Sequence, residues 1–197
     1  RDSTGRMHVV YRGVHNGTWT AMYTSGTGAV WDEPTPIKTT LYAGATQYYT
    51  PTLVIDGLDR LHVVFADYGN ITESTEKTAA GFTYPGYGNI GYYARCDNQC
   101  ASKEWRDPFT QEAGGGLLPA TANRYQQYFD MSVNSSNEVF LTYREDGANR
   151  STVAYKIGAS GFTALPGLGD AYLSQNIVVD SNDKVHFVAG EYYGEYS

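Results

Sequence analysis

The sequence predicts an all-β fold, a β-propeller of four-stranded antiparallel blades, and three observations predict it. Tyr (18) and Gly (22) are abundant among 197 residues, charged residues are only 18%, and helix-favouring Ala/Leu/Glu/Lys blocks are missing, a balance that suits short strands and many turns. Four stretches share one pattern: "RDSTGRMHVVYRG" at 1–13, "VIDGLDRLHVVFADYG" at 54–69, "MSVNSSNEVFLTYREDG" at 131–147 and "IVVDSNDKVHFVAG" at 177–190. Aligned on Asp2, Asp56, Asn134 and Asp180, they place His8, His62, Phe140 and His186 six residues later, at intervals of 54, 78 and 46 residues, the range of a repeat with loop insertions.

Each unit has the same order of elements. A first strand ("YYTPTLVID", "AYLSQNIVVD") leads into a turn ("DGLD", "DSND") and a second strand ("LHVVFAD", "VHFVAG"). The turn opens on Asp or Asn, whose side chain accepts backbone N–H bonds. Its fourth position is Gly5, Asp59, Asn137 or Asp183, residue types that tolerate a left-handed backbone. In the second strand Leu61, Val63 and Phe65 alternate with His62, Val64 and Ala66, so both faces are mostly apolar, as in a strand sandwiched between neighbouring sheets. Third strands are expected at 18–24, 89–96 and 151–158, and fourth strands at 30–37, 104–111 and 161–167, where Trp31-Asp32-Glu33-Pro34 echoes Trp105-Arg106-Asp107-Pro108. The units run roughly over 1–46, 47–123, 124–169 and 170–197, about three and a half blades of a single region. Propellers are built of about four to eight blades, so the chain reads as part of a longer one.

Composition narrows the function classes. A net charge of −7 without a Lys/Arg cluster argues against nucleic acid as a partner. No stretch approaches the ~20 apolar residues of a membrane span. Cys96 and Cys100, three residues apart, suit a small disulfide-closed loop; a zinc or haem site would want further ligands at fixed spacing, and neither metal nor cofactor is expected. Sequons at Asn16, Asn70 and Asn149 are candidate glycosylation sites, while Asn134 sits in a tight turn unsuited to a glycan. Together these features point to a secreted or cell-surface protein.

The unit D-S-x-G-x-x-H-V-V-Y followed by Y-T-S-G-T-G-A-V-W-D-E-P resembles the BNR, or Asp-box, repeats of sialidase-like propellers. The Asp-box pattern S-x-D-x-G-x-T-W is matched by Thr24, Gly28 and Trp31, with Gly26 in place of its Asp and Val30 in place of its Thr; the second copy keeps Trp105 and the third has Phe162. The resemblance covers nearly the whole chain and implies the fold more than an activity, since similar proteins include sialidases, polysaccharide lyases, lectins and adhesion modules.

The histidines at the shared repeat position read as packing residues, because one copy substitutes Phe140 and a catalytic histidine would occur once. A sialidase-like enzyme implies an arginine cluster, for which Arg12, Arg144 and Arg95 are available, with a Tyr–Glu pair and an acidic proton donor, whereas a propeller lyase implies a His and a Tyr for proton transfer. The dense grouping "HVVYRGVHNGTW" offers Tyr11, Arg12 and His15 as the catalytic alternative. Tyrosine joins a flat apolar ring to a hydroxyl, and clusters near strand ends make Tyr48, Tyr49, Tyr84, Tyr87, Tyr92 and Tyr125 the candidate ligand-binding residues. The insertion from Tyr68 to Gly88 is the candidate recognition loop. The function expected is a noncatalytic module for glycan binding, adhesion or extracellular assembly, with a glycan or an extracellular protein as partner and self-assembly through open strand edges a further prospect. The alternative is a sialidase-like hydrolase or polysaccharide lyase.

Overall fold

The computed structural model describes residues 1–38, 50–70, 87–119, 125–146, 151–166 and 175–189. The described residues are almost wholly β, with a single 3-10 turn at Asn98–Cys100. Four antiparallel sheets follow one another along the chain. The first holds β1 (Met7–His15), β2 (Thr18–Thr27), β3 (Val30–Trp31) and β4 (Thr35–Pro36), the last two both pairing with β2. The second runs β5 (Thr52–Ile55), β6 (Leu61–Asn70), β7 (Tyr87–Cys96) and β8 (Gly116–Leu117); the third runs β9 (Tyr125–Val133), β10 (Val139–Asp146), β11 (Ser151–Gly158) and β12 (Gly161–Ala164). The fourth pairs β13 (Gln175–Val179) with β14 (Val185–Ala189).

The same turn precedes β1, β6, β10 and β14, one strand of each sheet. In the second, Asp56 accepts from the backbone N–H groups of Leu58 (2.9 Å) and Arg60 (3.0 Å), and Asp59 adopts φ 56°. Asn134 and Asp180 repeat the pattern, with Asn137 at φ 64° and Asp183 at φ 60°. The side-chain oxygen replaces backbone partners that a tight loop cannot supply, which is why Asp or Asn opens each copy. Asn134 also donates from Nδ2 to Glu138 Oε2 at 2.8 Å, so its side-chain amide is engaged within the turn.

The alternation of β6 builds two cores, one on each face. Leu61, Val63 and Phe65 pack with Tyr23, Ala21, Tyr92 and Trp105 between the first and second sheets. Val64 and Ala66 pack with Val139, Leu141, Tyr143 and Tyr93 between the second and third. All six residues of β6 from Leu61 to Ala66 are buried, so the apolar character of both faces is explained by neighbours on both sides.

One predicted strand is displaced. The segment 104–111 pairs only through Arg106, which bridges Arg95 on one side and Ala113 on the other, and then makes a turn in which Asp107 accepts from Phe109 N–H (2.9 Å) and the Thr110 hydroxyl (2.7 Å). The fourth strand comes later, at Gly116–Leu117, against Tyr93 and Tyr92. Asp107 takes local turn partners there, and a glycine at 116 is required because a Cβ would lie 2.2 Å from Asp107 Oδ2.

Candidate functional site

The repeat histidines sit in a hydrogen-bonded chain. In the second sheet the Tyr93 hydroxyl donates to His62 Nδ1 (2.6 Å) and His62 Nε2–H donates to Asp56 (3.1 Å). The first sheet repeats it with Tyr23, His8 and Asp2 at 2.8 and 3.0 Å. Burial holds His62 below the usual histidine range, against the pull of Asp56, so the ring is neutral and carries its proton on Nε2. Burial raises Tyr93, keeping its hydroxyl protonated. Burial works against ionisation of Asp2, yet the bonds from Thr4, His8 and Arg6 prevail and bring its carboxyl down to about 2. These histidines therefore satisfy buried polar groups as well as filling volume, a correction to the packing-only reading.

Beside this chain a cleft of about 420 Å³ opens between the second and third sheets, walled by Arg60, Arg95 and Pro108 on one side and Asn137, Glu138 and Ile157 on the other. A comparable hollow of about 370 Å³ lies between the first two sheets, beside Arg6 and Ser25, and is lined by Gln99, Cys100 and Ala101 of the long connection after β7. In the third sheet the same connection is only the turn Ala159–Ser160, and Gly158 and Ala159 line the cleft opposite Arg60 and Arg95. A further hollow of about 260 Å³, lined by Asp97, Glu104 and Arg106, shares Arg95 and Pro108 with the cleft and extends it along the surface.

Each charge at the cleft is already paired. Arg60 Nε lies 2.6 Å from Asp56, Arg95 Nε 2.9 Å from Asp97, Arg106 Nη2 3.1 Å from Glu104 and Lys156 Nζ 2.9 Å from Glu138. Asp56 is buried, while the other three pairs are surface pairs, which add little stability. What they supply is a fixed array of adjacent donors and acceptors with little net charge, matched to a polyhydroxylated ligand better than to a bare anion.

The disulfide is formed: Cys96 and Cys100 are joined, closing a loop in which Asn98, Gln99 and Cys100 are all left-handed. Gln99 of this loop reaches Asp59 Oδ2 at 3.2 Å, bracing the turn of its own sheet.

The tyrosine candidates fare differently. Tyr92 is 1% exposed, stacked on Phe65 at 5.4 Å with the Lys38 ammonium 4.6 Å from its ring, so it is a core residue and cannot meet a surface ligand. Tyr87 and Tyr125 open β7 and β9, while Tyr48, Tyr49 and Tyr84, with most of the 68–88 insertion, lie outside the described residues. The catalytic alternative is not assembled either. Strand alternation puts Arg12 on the face opposite Tyr11 and His15, its guanidinium 4.3 Å from the Trp19 ring centroid, while His15 contacts Asn16 at 3.1 Å. Arg144, at the equivalent position, lies 5.6 Å from the Tyr128 ring centroid. Asn16 is exposed in the turn after β1, Asn70 ends β6 and Asn149 lies outside the described residues. Sequence reasoning missed Arg60, Arg95 and Glu138 as a group. The readable signal was the fifth turn position, where Arg6, Arg60 and Lys184 are basic and Glu138 alone is acidic.

No family model and no curated protein matches the chain. Among solved structures it is similar to a polysaccharide lyase, an ulvan lyase bound to -[GlcA(1-4)Rha3S]-, with TM-score 0.55 and 10% identity over 89% of this chain and 44% of that one. A protein of unknown function from Dyadobacter fermentans gives 0.41 and 13% over 95% of this chain and 72% of that one. A fucose lectin from Kordia zhangzhouensis in complex with methyl-fucoside gives 0.35 and 8% over 84% and 94%. At such identity the likeness to the lyase is one of fold, and the chain spans less than half of that protein's length.

Proposed function

We propose that the chain is a stretch of a BNR-type β-propeller and that it serves as a noncatalytic, extracellular carbohydrate-binding module. The propeller reading is supported by successive antiparallel sheets stacked in chain order and by the fold shared with part of the lyase. The extracellular reading is supported by the Cys96–Cys100 disulfide. The observation that carries binding is the cleft of compensated Arg–carboxylate pairs around Arg95. Vicinal hydroxyls would bridge an arginine N–H and the carboxylate oxygen beside it, while Pro108 gives an apolar contact.

The test is a glycan array followed by calorimetry on the oligosaccharides retained. Binding weakened at least about tenfold by Arg95→Ala and by Arg106→Ala, with the fold intact, is the expected result. Affinity unchanged in both variants overturns the reading. A lyase or hydrolase is the second reading, favoured by one observation: His62 and Tyr93 line the same cleft beside two arginines. Against it, the first sheet repeats the trio as Tyr23, His8 and Asp2, and a tyrosine whose acidity burial suppresses is a poor base. Turnover of any array hit, lost in Tyr93→Phe, would decide for the enzyme.

A further inference from the structure

The cleft beside His62 and the hollow that adjoins it at Arg95 and Pro108 are lined differently. The cleft adds Val139, Ile157 and Ala159 to its polar groups Arg60, Asn137 and Glu138. The adjoining hollow is polar apart from Pro108, with Asp97, Glu104, Arg106 and Gln111 among its walls. One suits a ring that offers a C–H face as well as hydroxyls; the other suits hydroxyls.

The junction between them is built before any ligand arrives. Arg95 N–H donates to the Arg106 carbonyl at 2.8 Å and Arg106 N–H to the Arg95 carbonyl at 3.0 Å, so both guanidinium groups spring from one backbone bridge. Arg95 forks onto Asp97, with Nε 2.9 Å from Oδ1 and Nη2 3.2 Å from Oδ2, which makes a flat pair. Pro108 is held through its neighbours: Phe109 lies 6.4 Å from the Tyr93 ring and 5.5 Å from the Phe162 ring, and Gln111 Nε2 donates to the Pro108 carbonyl at 3.2 Å. Groups fixed in this way lose little freedom on binding.

The charges cancel over the joined space. Arg60, Arg95 and Arg106 stand against Asp97, Glu104 and Glu138 among the lining residues. We propose that the joined hollows take two consecutive residues from within a chain of neutral polysaccharide, one ring beside Ile157 and Pro108 and the next beside Arg106 and Gln111, with their linkage over the Arg95–Asp97 fork. The proposal rests on the carbohydrate-binding reading and adds the length, the charge and the internal position of the ligand. A lone sugar occupies one hollow only. A uronate or sulfate would meet a carboxylate beside each arginine. Gly158 and Ala159 of the cleft and Glu104 and Arg106 of the hollow are exposed, so the sugar chain can run on past both.

The test is calorimetry on the full chain with graded oligosaccharides of neutral β-glucan, xylan and mannan, from monosaccharide to hexasaccharide, and with oligogalacturonates as the charged counterpart, at low and high salt. In at least one neutral series affinity should rise about tenfold from monosaccharide to disaccharide and change little with added salt. Arg106→Ala should remove that rise, so that monosaccharide and disaccharide bind the variant alike, and Gln111→Ala, which leaves every charge in place, should reduce it. Affinity independent of chain length, a rise that survives both substitutions, or tighter and salt-sensitive binding of oligogalacturonate overturns the proposal and leaves carbohydrate binding standing. Absence of binding to every series overturns the proposal too. Failure of the carbohydrate reading itself would appear differently, as affinity that Arg95→Ala does not change.

Discussion

The Tyr93 hydroxyl is bonded to His62 as Tyr23 is to His8, and where Phe140 replaces the histidine, Ala154 replaces the tyrosine at the register position two beyond it. Asn134 at the same time replaces the aspartate. The three positions change together because a buried histidine needs both partners and a phenylalanine needs neither. Tyr93→Phe should therefore destabilise the chain by about 1–3 kcal/mol, since it leaves His62 Nδ1 buried without its donor. Equilibrium denaturation in urea measures it, and a change within error would mean that the bond contributes nothing net.

Stability should fall on acidification in two stages. Unfolded histidine takes a proton below about 6.5, but burial holds folded His62 lower, so stability is full above that value and declines as pH drops beneath it. Folded Asp2, brought down to about 2, contributes stability above its unfolded value that is lost as pH falls from about 4 through 2. Melting temperature against pH should show both stages, and His62→Phe should flatten the first while leaving the second.

Gly91→Ala should be poorly tolerated. The Gly91 N–H donates to Gln126 Oε1 at 2.7 Å, and a Cβ at this position would lie 2.7 Å from both that oxygen and Leu118 Cδ1. The buried Gln126 and Leu118 side chains would both have to shift, Gln126 losing its bond to Gly91, at a cost of about 1–3 kcal/mol. A melting curve matching that of the wild type would refute this.

Reduction of Cys96–Cys100 should cost about 2 kcal/mol, the value chain entropy gives for so short a loop. Three left-handed residues are held inside it, two of them Asn98 and Gln99. Loss of Gln99 from Asp59 should follow, seen as faster amide exchange at Gln99, whose N–H donates to the Asp59 carbonyl at 3.1 Å, after treatment with a thiol reductant. Unchanged exchange would show that the loop keeps its shape without the bond.

Much of this was readable from residue order. The turns, the left-handed fourth positions and the double-faced character of Leu61–Ala66 follow from local chemistry and a period of two. The fourth strand of the second sheet did not, because Asp107 spends its carboxylate on Phe109 and Thr110 and postpones pairing to Gly116. Nor did the bond between His62 and Tyr93, which spans 31 residues and depends on the register of β6 against β7. The cleft was hidden for a similar reason: Arg60 and Arg95 come from one sheet and Asn137 and Glu138 from the next, and they face one another only once the sheets are stacked.

The stacking also fixes how the molecule comes apart. When each sheet leans only on its neighbours, stability behaves as a row of coupled units, and opening starts where coupling is weakest. The described part of the fourth sheet is a two-stranded ribbon with one face bare to water. Its amides should exchange with deuterium first, and the front of exchange should then advance one sheet at a time towards β6, whose buried strand is held from both sides.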